Sequence, residues 1–256
     1  MIKRQSNDTP HHNALFYRKD KFQLVQHHAI NLHEFLLDLP EELQTHQQSD
    51  FYAIANHFVF GKEEKQHVLV VSVHLHHDPR HDIVKYAEMS GLLTQVNRMA
   101  KEIDEQVRVV IAGDFNAQPS NQVYRLAVLG EPPSLMSLQE ETMVQEAWLE
   151  KRREWLPLYQ QVFDSTPLRG TFASVYAQTQ KTMSNDNSKG DGERGHPRYT
   201  NLTDGFANTI DYILHGSNLK PLKLLEVNTD LYEKEDYLPS RYHASDHVIL
   251  WAELEC

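Results

Sequence analysis

The chain has 256 residues, 40% of them hydrophobic, enough to bury a substantial core and suited to one domain, 1–256, rather than two small ones. A formal net charge of -11 excludes a broad electrostatic grip on duplex nucleic acid, which needs clustered Lys and Arg, so any nucleic-acid contact should be local. The lone Cys256 excludes an internal disulfide and a zinc finger, no apolar run reaches the length of a membrane span, and MIKRQSNDTPHHN lacks the apolar middle of a secretory signal, so a cytoplasmic protein is expected.

In chain order, Ala14 to Val25 reads as a strand, and Asn31 then caps a short helix, three residues ahead of Glu34, that Pro40 closes. Phe51 to Phe60 and Val68 to Leu75 are strand-like, rich in β-branched and aromatic residues. From Ile83 to Ile103, Leu92, Val96, Met99 and Ile103 recur at helical steps and predict a helix with one buried stripe. Val107 to Ala112 is the next strand, and Ser120 is placed to cap a helix through Leu129. Trp148 and Trp155, seven apart among Glu, Lys and Arg, fit one amphipathic helix. Gln178 to Gly195 has almost nothing apolar to offset its ordering entropy and reads as a flexible, exposed insert. Thr209 to Leu214 and His247 to Leu254 complete the strands of a layered α/β sandwich.

The run VRVVIAGDFN delivers Asp114 and Asn116 to a turn at a strand end, and alternation along an extended backbone points both side chains to one face. Asp211 lies in NTIDYIL, and Asp246-His247 opens HVILWAEL, so three acid-bearing strand ends can meet at one edge. Such a set suits phosphodiester hydrolysis, where a divalent cation neutralises phosphoryl charge and acidifies the attacking water. Asp246 and Asp114 could ligate Mg²⁺, which takes one or two carboxylates and keeps several waters. Asn116 could donate to an oxyanion or orient a water, and His247, paired with Asp211, could stay protonated against a phosphate oxygen. Taken singly, Gly-Asp at a strand end is also an ordinary turn, and Ser-Asp-His at 245 to 247 is also a capped loop. Tyr199 and Thr200 read equally well as strand packing. The string His74-Leu-His76-His77-Asp78 offers a zinc hydrolase as a competitor, but position 79 is Pro and the final ligand of that pattern is absent.

ALFYRKDKFQLV, HLHHDP with DIVKYAE, GDFNAQPSNQVY, HPRYTNLTDGFANTIDYI and ASDHVILWAEL, in this order, resemble the endonuclease/exonuclease/phosphatase superfamily. Within it the chain looks like the group of carbon-catabolite-repression-type deadenylases, Nocturnin, Angel and the 2',5'-phosphodiesterases. The resemblance implies a DNase I-like four-layer α/β/β/α sandwich and hydrolysis with Mg²⁺, Mn²⁺ being the substitute. The implied substrate is single-stranded A-rich RNA trimmed from its 3' end, or an oligoadenylate. Carried over by motif, Asp114 would activate or position the water, Asn116 would hold the scissile phosphate, and His74 and His247 would contact phosphoryl oxygens. Asp211 would orient His247, Asp246 would lie beside the metal, Pro79 and Phe206 would hold an adenine between apolar faces, and Asn201 would lie near the substrate groove. Stacking of that kind needs little basic charge.

The family pattern also has an early strand carrying Asn and a following strand end carrying a metal-binding Glu. No Glu among the opening residues has that context, His12-Asn13 stands where Asp-Gly is usual, and His243-Ala244 stands where an aromatic and a proline are more common. The expectation is therefore an N-terminally incomplete sandwich whose metal lacks its principal carboxylate, with an inactive RNA- or partner-binding pseudoenzyme as the alternative to an exoribonuclease. The leucine-rich adaptor region of some deadenylases has no match in the chain.

Overall fold

Alternation in the third strand shows how the sequence sets the two faces of the main sheet. In β3 (Gln66–His74), Leu69, Val71 and Val73 are buried while Val70, Ser72 and His74 are half-buried, the period of two of a strand. This computed structural model describes residues 13–44, 52–62, 64–139, 146–177, 193–227 and 237–255. The sheet joins β1 (Phe22–Asn31), β2 (Tyr52–Phe60), β3, β4 (Arg108–Asp114), β5 (Ala173–Ser174) and β8 (Asp211–His215) in the order β1-β2-β3-β4-β8-β5. Only β3 and β4 of these pair in parallel. A parallel pair needs a long crossover, and the helix Asp82–Ile103 supplies it. β6 (Asn201–Thr203) pairs β7 (Phe206–Asn208), and β9 (Lys220–Leu224) pairs β10 (Ala252–Glu255).

One core cluster contains Ala53, Leu69, Val71, Val73, Val109, Ile111, Tyr212 and Leu214 from the sheet with Ile83, Met89, Leu92 and Val96 from the long helix. By alternation, the opposite face carries His74, Asp114 and Asp211. A smaller cluster of Tyr199, Leu202, Leu238 and Val248 packs around β6.

The boundaries differ from expectation for physical reasons. The strand expected from Ala14 begins at Phe22 and runs on to Asn31, because its pairing with β2 extends that far. The run from His247 divides between two partners: His247 bridges Asn201, and regular pairing with β9 starts at Ala252. Asn31 does cap the short helix Leu32–Leu36, accepting from the His33 amide. Asn121, not Ser120, caps the next helical turn, accepting from the Val123 amide at 2.9 Å. Trp148 and Trp155 do not share a helix, because Pro157 opens a second one; the two helices are Glu146–Glu154 and Leu156–Ser165. Residues 178–192 of the expected insert lie outside the described residues, and Glu193–Gly195 forms a tight turn.

The long helix is not striped throughout. Leu92, Val96 and Met99 keep the stripe, but every residue from Asp82 to Ser90 is buried, three of them charged. Gly91 lets the Leu32–Leu36 turn approach, since a Cβ there would stand 2.0 Å from the Phe35 ring. The Asp82 carboxylate accepts from Asn121 Nδ2 at 2.8 Å and from the Tyr159 hydroxyl at 3.2 Å, and lies 3.2 Å from Lys85 Nζ and 3.6 Å from Arg152 Nη2. Burial alone would raise its pKa, but Arg152 and Lys85 outweigh that and hold it below the ordinary carboxylate value.

Two predictions concern stability. Removing the Asp82 charge would leave two buried cations without their counter-ion, so Asp82→Asn should lose about 3 kcal/mol in denaturant titration, and an unchanged midpoint would refute the hub. His196, 1% exposed and bonded to the Tyr124 hydroxyl at 3.0 Å, is lowered from 6.5 to about 4 by burial and then by Arg194. Between those values the unfolded chain binds a proton that the native state refuses, so stability should fall as pH drops through the window, by up to about 3 kcal/mol. His196→Gln should flatten that fall, and an identical pH profile in the variant would remove His196 as its cause.

Candidate active site

The three inner strands end in register. His74 of β3 pairs across to Asp114 of β4, and Asp114 pairs across to Asp211 of β8, so the three side chains stand in a row on the face away from the long helix. Gly113 permits this closeness. Its φ is +145°, and a Cβ there would stand 1.9 Å from the Val73 carbonyl oxygen. Past the strand end the turn is held from three sides: the Leu75 amide donates to the Asp114 carbonyl at 3.0 Å, the Phe115 amide to the Ile210 carbonyl at 2.9 Å, and the Tyr212 hydroxyl to the Ala117 carbonyl at 2.7 Å.

His247 closes the row. Its Nδ1 lies 2.9 Å from Asp211 Oδ2, and its Nε2 is 3.8 Å from Asp114 Oδ2. His74 Nε2 is 3.5 Å from the same Asp114 oxygen. The hydrogen bond to Asp211 is the main reason the His247 pKa rises to about 9, against the opposing effect of burial. Asp114 rises to about 7, first through burial and then through the Asp211 charge. Asp114, Asp211 and His247 each offer a donor atom within 4.8 Å of the others, close enough to share an ion.

Asn116, with φ +48°, donates its amide N–H to Asp114 Oδ1 at 2.7 Å and Nδ2 to the Leu75 carbonyl at 2.9 Å. A carboxamide has two N–H bonds on Nδ2, so one serves Leu75 and the other remains for a ligand. Asp246 sits at the rim, 45% exposed, with Oδ2 4.0 Å from His247 Nε2. Asn201, 5% exposed, donates to that Asp246 oxygen at 3.2 Å. The expected base-holding residues lie on other elements: Pro79 is exposed on the turn ahead of the long helix, and Phe206 is half-buried at the start of β7. The zinc-like string does not assemble as one site. His74 lies beside Asp114, whereas His76 is buried and its amide donates to Glu88 Oε2 at 2.7 Å.

Two supporting residues escaped the sequence reading. Thr200, fully buried, donates its hydroxyl to Asp211 Oδ2 at 2.7 Å and accepts from the Ile210 and Asp211 amides at 3.0 Å. Lys85 donates to the Asn116 carbonyl at 2.6 Å while lying beside Asp82, which ties the long helix to the turn. The only sequence signal for Thr200 was its place in YTN, next to Asn201; for Lys85 it was the DIVKYAE segment.

A family model described as the Endonuclease/Exonuclease/phosphatase family matches residues 7–247. Carbon catabolite repressor protein 4 homolog 4 of Arabidopsis thaliana is 29% identical over 213 residues, covering 80% of this chain and 42% of its own length. The 2',5'-phosphodiesterase 12 of Homo sapiens is 23% identical over 259 residues, 94% of this chain and 37% of its own. The chain thus spans well under two thirds of the length of these curated relatives. Among solved structures, ANGEL2, a 2',3'-cyclic phosphatase in complex with adenosine-2',3'-vanadate, has a TM-score of 0.61 at 21% identity, over 93% of this chain and 68% of that one. The human Nocturnin catalytic domain with bound sulfate has a TM-score of 0.55 at 20% identity, over 93% and 61%. The two structures share the fold, the expected layered α/β sandwich.

Because the Val73 carbonyl leaves no space for a methyl group, Gly113→Ala should cost about 3 kcal/mol of stability. A variant as stable as the parent in urea titration would show that β3 and β4 can separate freely there.

Proposed function

Because the chain belongs to the endonuclease/exonuclease/phosphatase family, we propose that it is a phosphodiesterase acting on single-stranded A-rich RNA from the 3' end. The observation that supports this reading is the row His74, Asp114 and Asp211, closed by His247. Asp114, at the centre of the row, positions the attacking water and takes its proton. His247 stays cationic below about pH 9 and donates Nε2–H to a phosphoryl oxygen, while Asp211, fixed by Thr200, holds the ring. His74 contacts a second phosphoryl oxygen, and Asn116 holds the scissile phosphate with its remaining N–H.

The donor set fits a hard divalent cation, because Asp211 presses on Asp114 with a like charge that such an ion would relieve. Asp114 and Asp246 would hold it, since Asp211 and His247 are bonded to each other. Mg²⁺, or Mn²⁺ in its place, supplies charge neutralisation at the phosphate and a more acidic water. Asn201 acts through Asp246, and Pro79 and Phe206 hold the terminal adenine by stacking, which suits an acidic chain. An oligoadenylate with 2',5' linkages presents the same phosphate and base.

A second reading, RNA binding without cleavage, is favoured by the composition of the cluster, which contains no glutamate among the described residues. Trimming of a labelled A-tailed RNA with Mg²⁺ separates the two. The enzyme reading expects Mg²⁺-dependent shortening that slows about 100-fold or more in Asp114→Ala. If the parent chain does not shorten the RNA, yet binds it and loses binding in Phe206→Ala, the binding reading replaces it.

A further inference from the structure

We propose that His76, Asp78 and His81 form a second cation site, selective for a transition metal of the Zn²⁺ class, in the turn between β3 and the long helix. The three side chains each offer a donor atom within 4.8 Å of the others. His76 is 3% exposed, and both of its ring nitrogens are buried without a hydrogen-bond partner among the described residues. A buried polar group left unpaired is costly, and buried groups of this kind nearly always have a partner. A metal ion shared with Asp78 and His81 supplies one.

The turn is built to hold these residues together. Asp78 caps it, accepting from the Arg80 amide at 2.9 Å, and its Oδ2 lies 3.4 Å from His81 Nδ1. The His76 backbone is fixed by the Glu88 carboxylate at 2.7 Å, so the ring approaches from a buried wall while Asp78 and His81 approach from the surface side. Two imidazoles and a carboxylate match the three protein ligands of four-coordinate zinc centres that leave the fourth position to water. Imidazole suits Zn²⁺, Cu²⁺ and Ni²⁺, whereas Mg²⁺ and Ca²⁺ prefer an all-oxygen shell. This donor set therefore distinguishes the site from the carboxylate row at Asp114.

Arg80 is the competitor. Its Nε lies 2.9 Å and 3.0 Å from the two Asp78 oxygens, and its Nη2 lies 2.6 Å from Oδ2. The Arg80 side chain is 63% exposed, so solvent screens the pair and a divalent ion can displace it. Lys85 does not compete, being held by Asp82 and the Asn116 carbonyl.

The test is calorimetric titration of the EDTA-treated full chain with Zn²⁺ in excess Mg²⁺, with bound metal counted by elemental analysis after dialysis. The proposal expects one Zn²⁺ bound by the parent chain and by Asp114→Ala, and affinity weakened about tenfold or more in Asp78→Asn and His81→Ala. Both substitutions lie on the surface side of the cluster, and circular dichroism establishes that the variants fold. Arg80→Ala should bind Zn²⁺ more tightly than the parent, an effect that loss of a merely structural contact would not produce. Failure of the parent to bind Zn²⁺, affinity unchanged in a folded His81→Ala, or binding abolished by Asp114→Ala would each overturn the proposal.

Discussion

The approach of the β3 backbone to Gly113 is the constraint on which the rest of the site depends. Parallel strands run side by side through most of their length without special residues, but here they must remain paired to their last residues. With no Cβ at Gly113, the Val73 carbonyl passes close by, and His74 and Asp114 emerge abreast. Antiparallel β8 then adds Asp211 opposite Asp114. The electrostatics follow from that spacing: two carboxylates side by side, one made more basic and the other committed to an imidazolium.

A buried polar network behind the sheet gives the turn its rigidity. Asp82 gathers Lys85, Arg152, Asn121 and Tyr159, and Lys85 carries the connection forward to the Asn116 carbonyl. Asn116 has a left-handed backbone, strained for a residue with a side chain, and three hydrogen bonds to Asp114, Leu75 and Lys85 hold it there. The helix and the turn after β4 are thus joined by charge as well as by packing. Arg152, from the helix Glu146–Glu154, also donates to the Pro79 carbonyl at 3.3 Å, which brings the same network to the turn between Asp78 and His81.

Strands with a Val/Ile period were readable because burial on one face leaves a pattern in the residues themselves, and VRVVIAGDFN declared both β4 and its turn. That Asp114, Asp211 and His247 would meet was readable because each stands at a strand end, where a shared sheet edge can gather them. Thr200 was not, since a hydroxyl in a strand looks the same whether it supports a carboxylate or merely packs. Asp82 and Lys85 were hidden for the opposite reason: charged residues in the first turns of a helix suggest solvent, and only tertiary contacts show that they are enclosed. The strand ends at residues 22 and 252 were set by the partner strand, which local composition does not contain. The approach of His81 to Asp78 was hidden too, because a turn across an exposed proline brings them together and residue spacing does not show it.

The row of strand ends also limits how a chain of this kind can vary in length. Side chains alternate faces, so inserting or deleting one residue inside β8 would exchange its two faces at once. Tyr212, now in the core with its hydroxyl on the Ala117 carbonyl, would be turned toward the carboxylates, and Asp211 toward the helices. A change of frame within β3, β4 or β8 would take His74, Asp114 or Asp211 out of the row in one step. Length changes in such proteins should therefore accumulate in the connections, leaving the spacing from each strand's first buried residue to its terminal acid or histidine fixed.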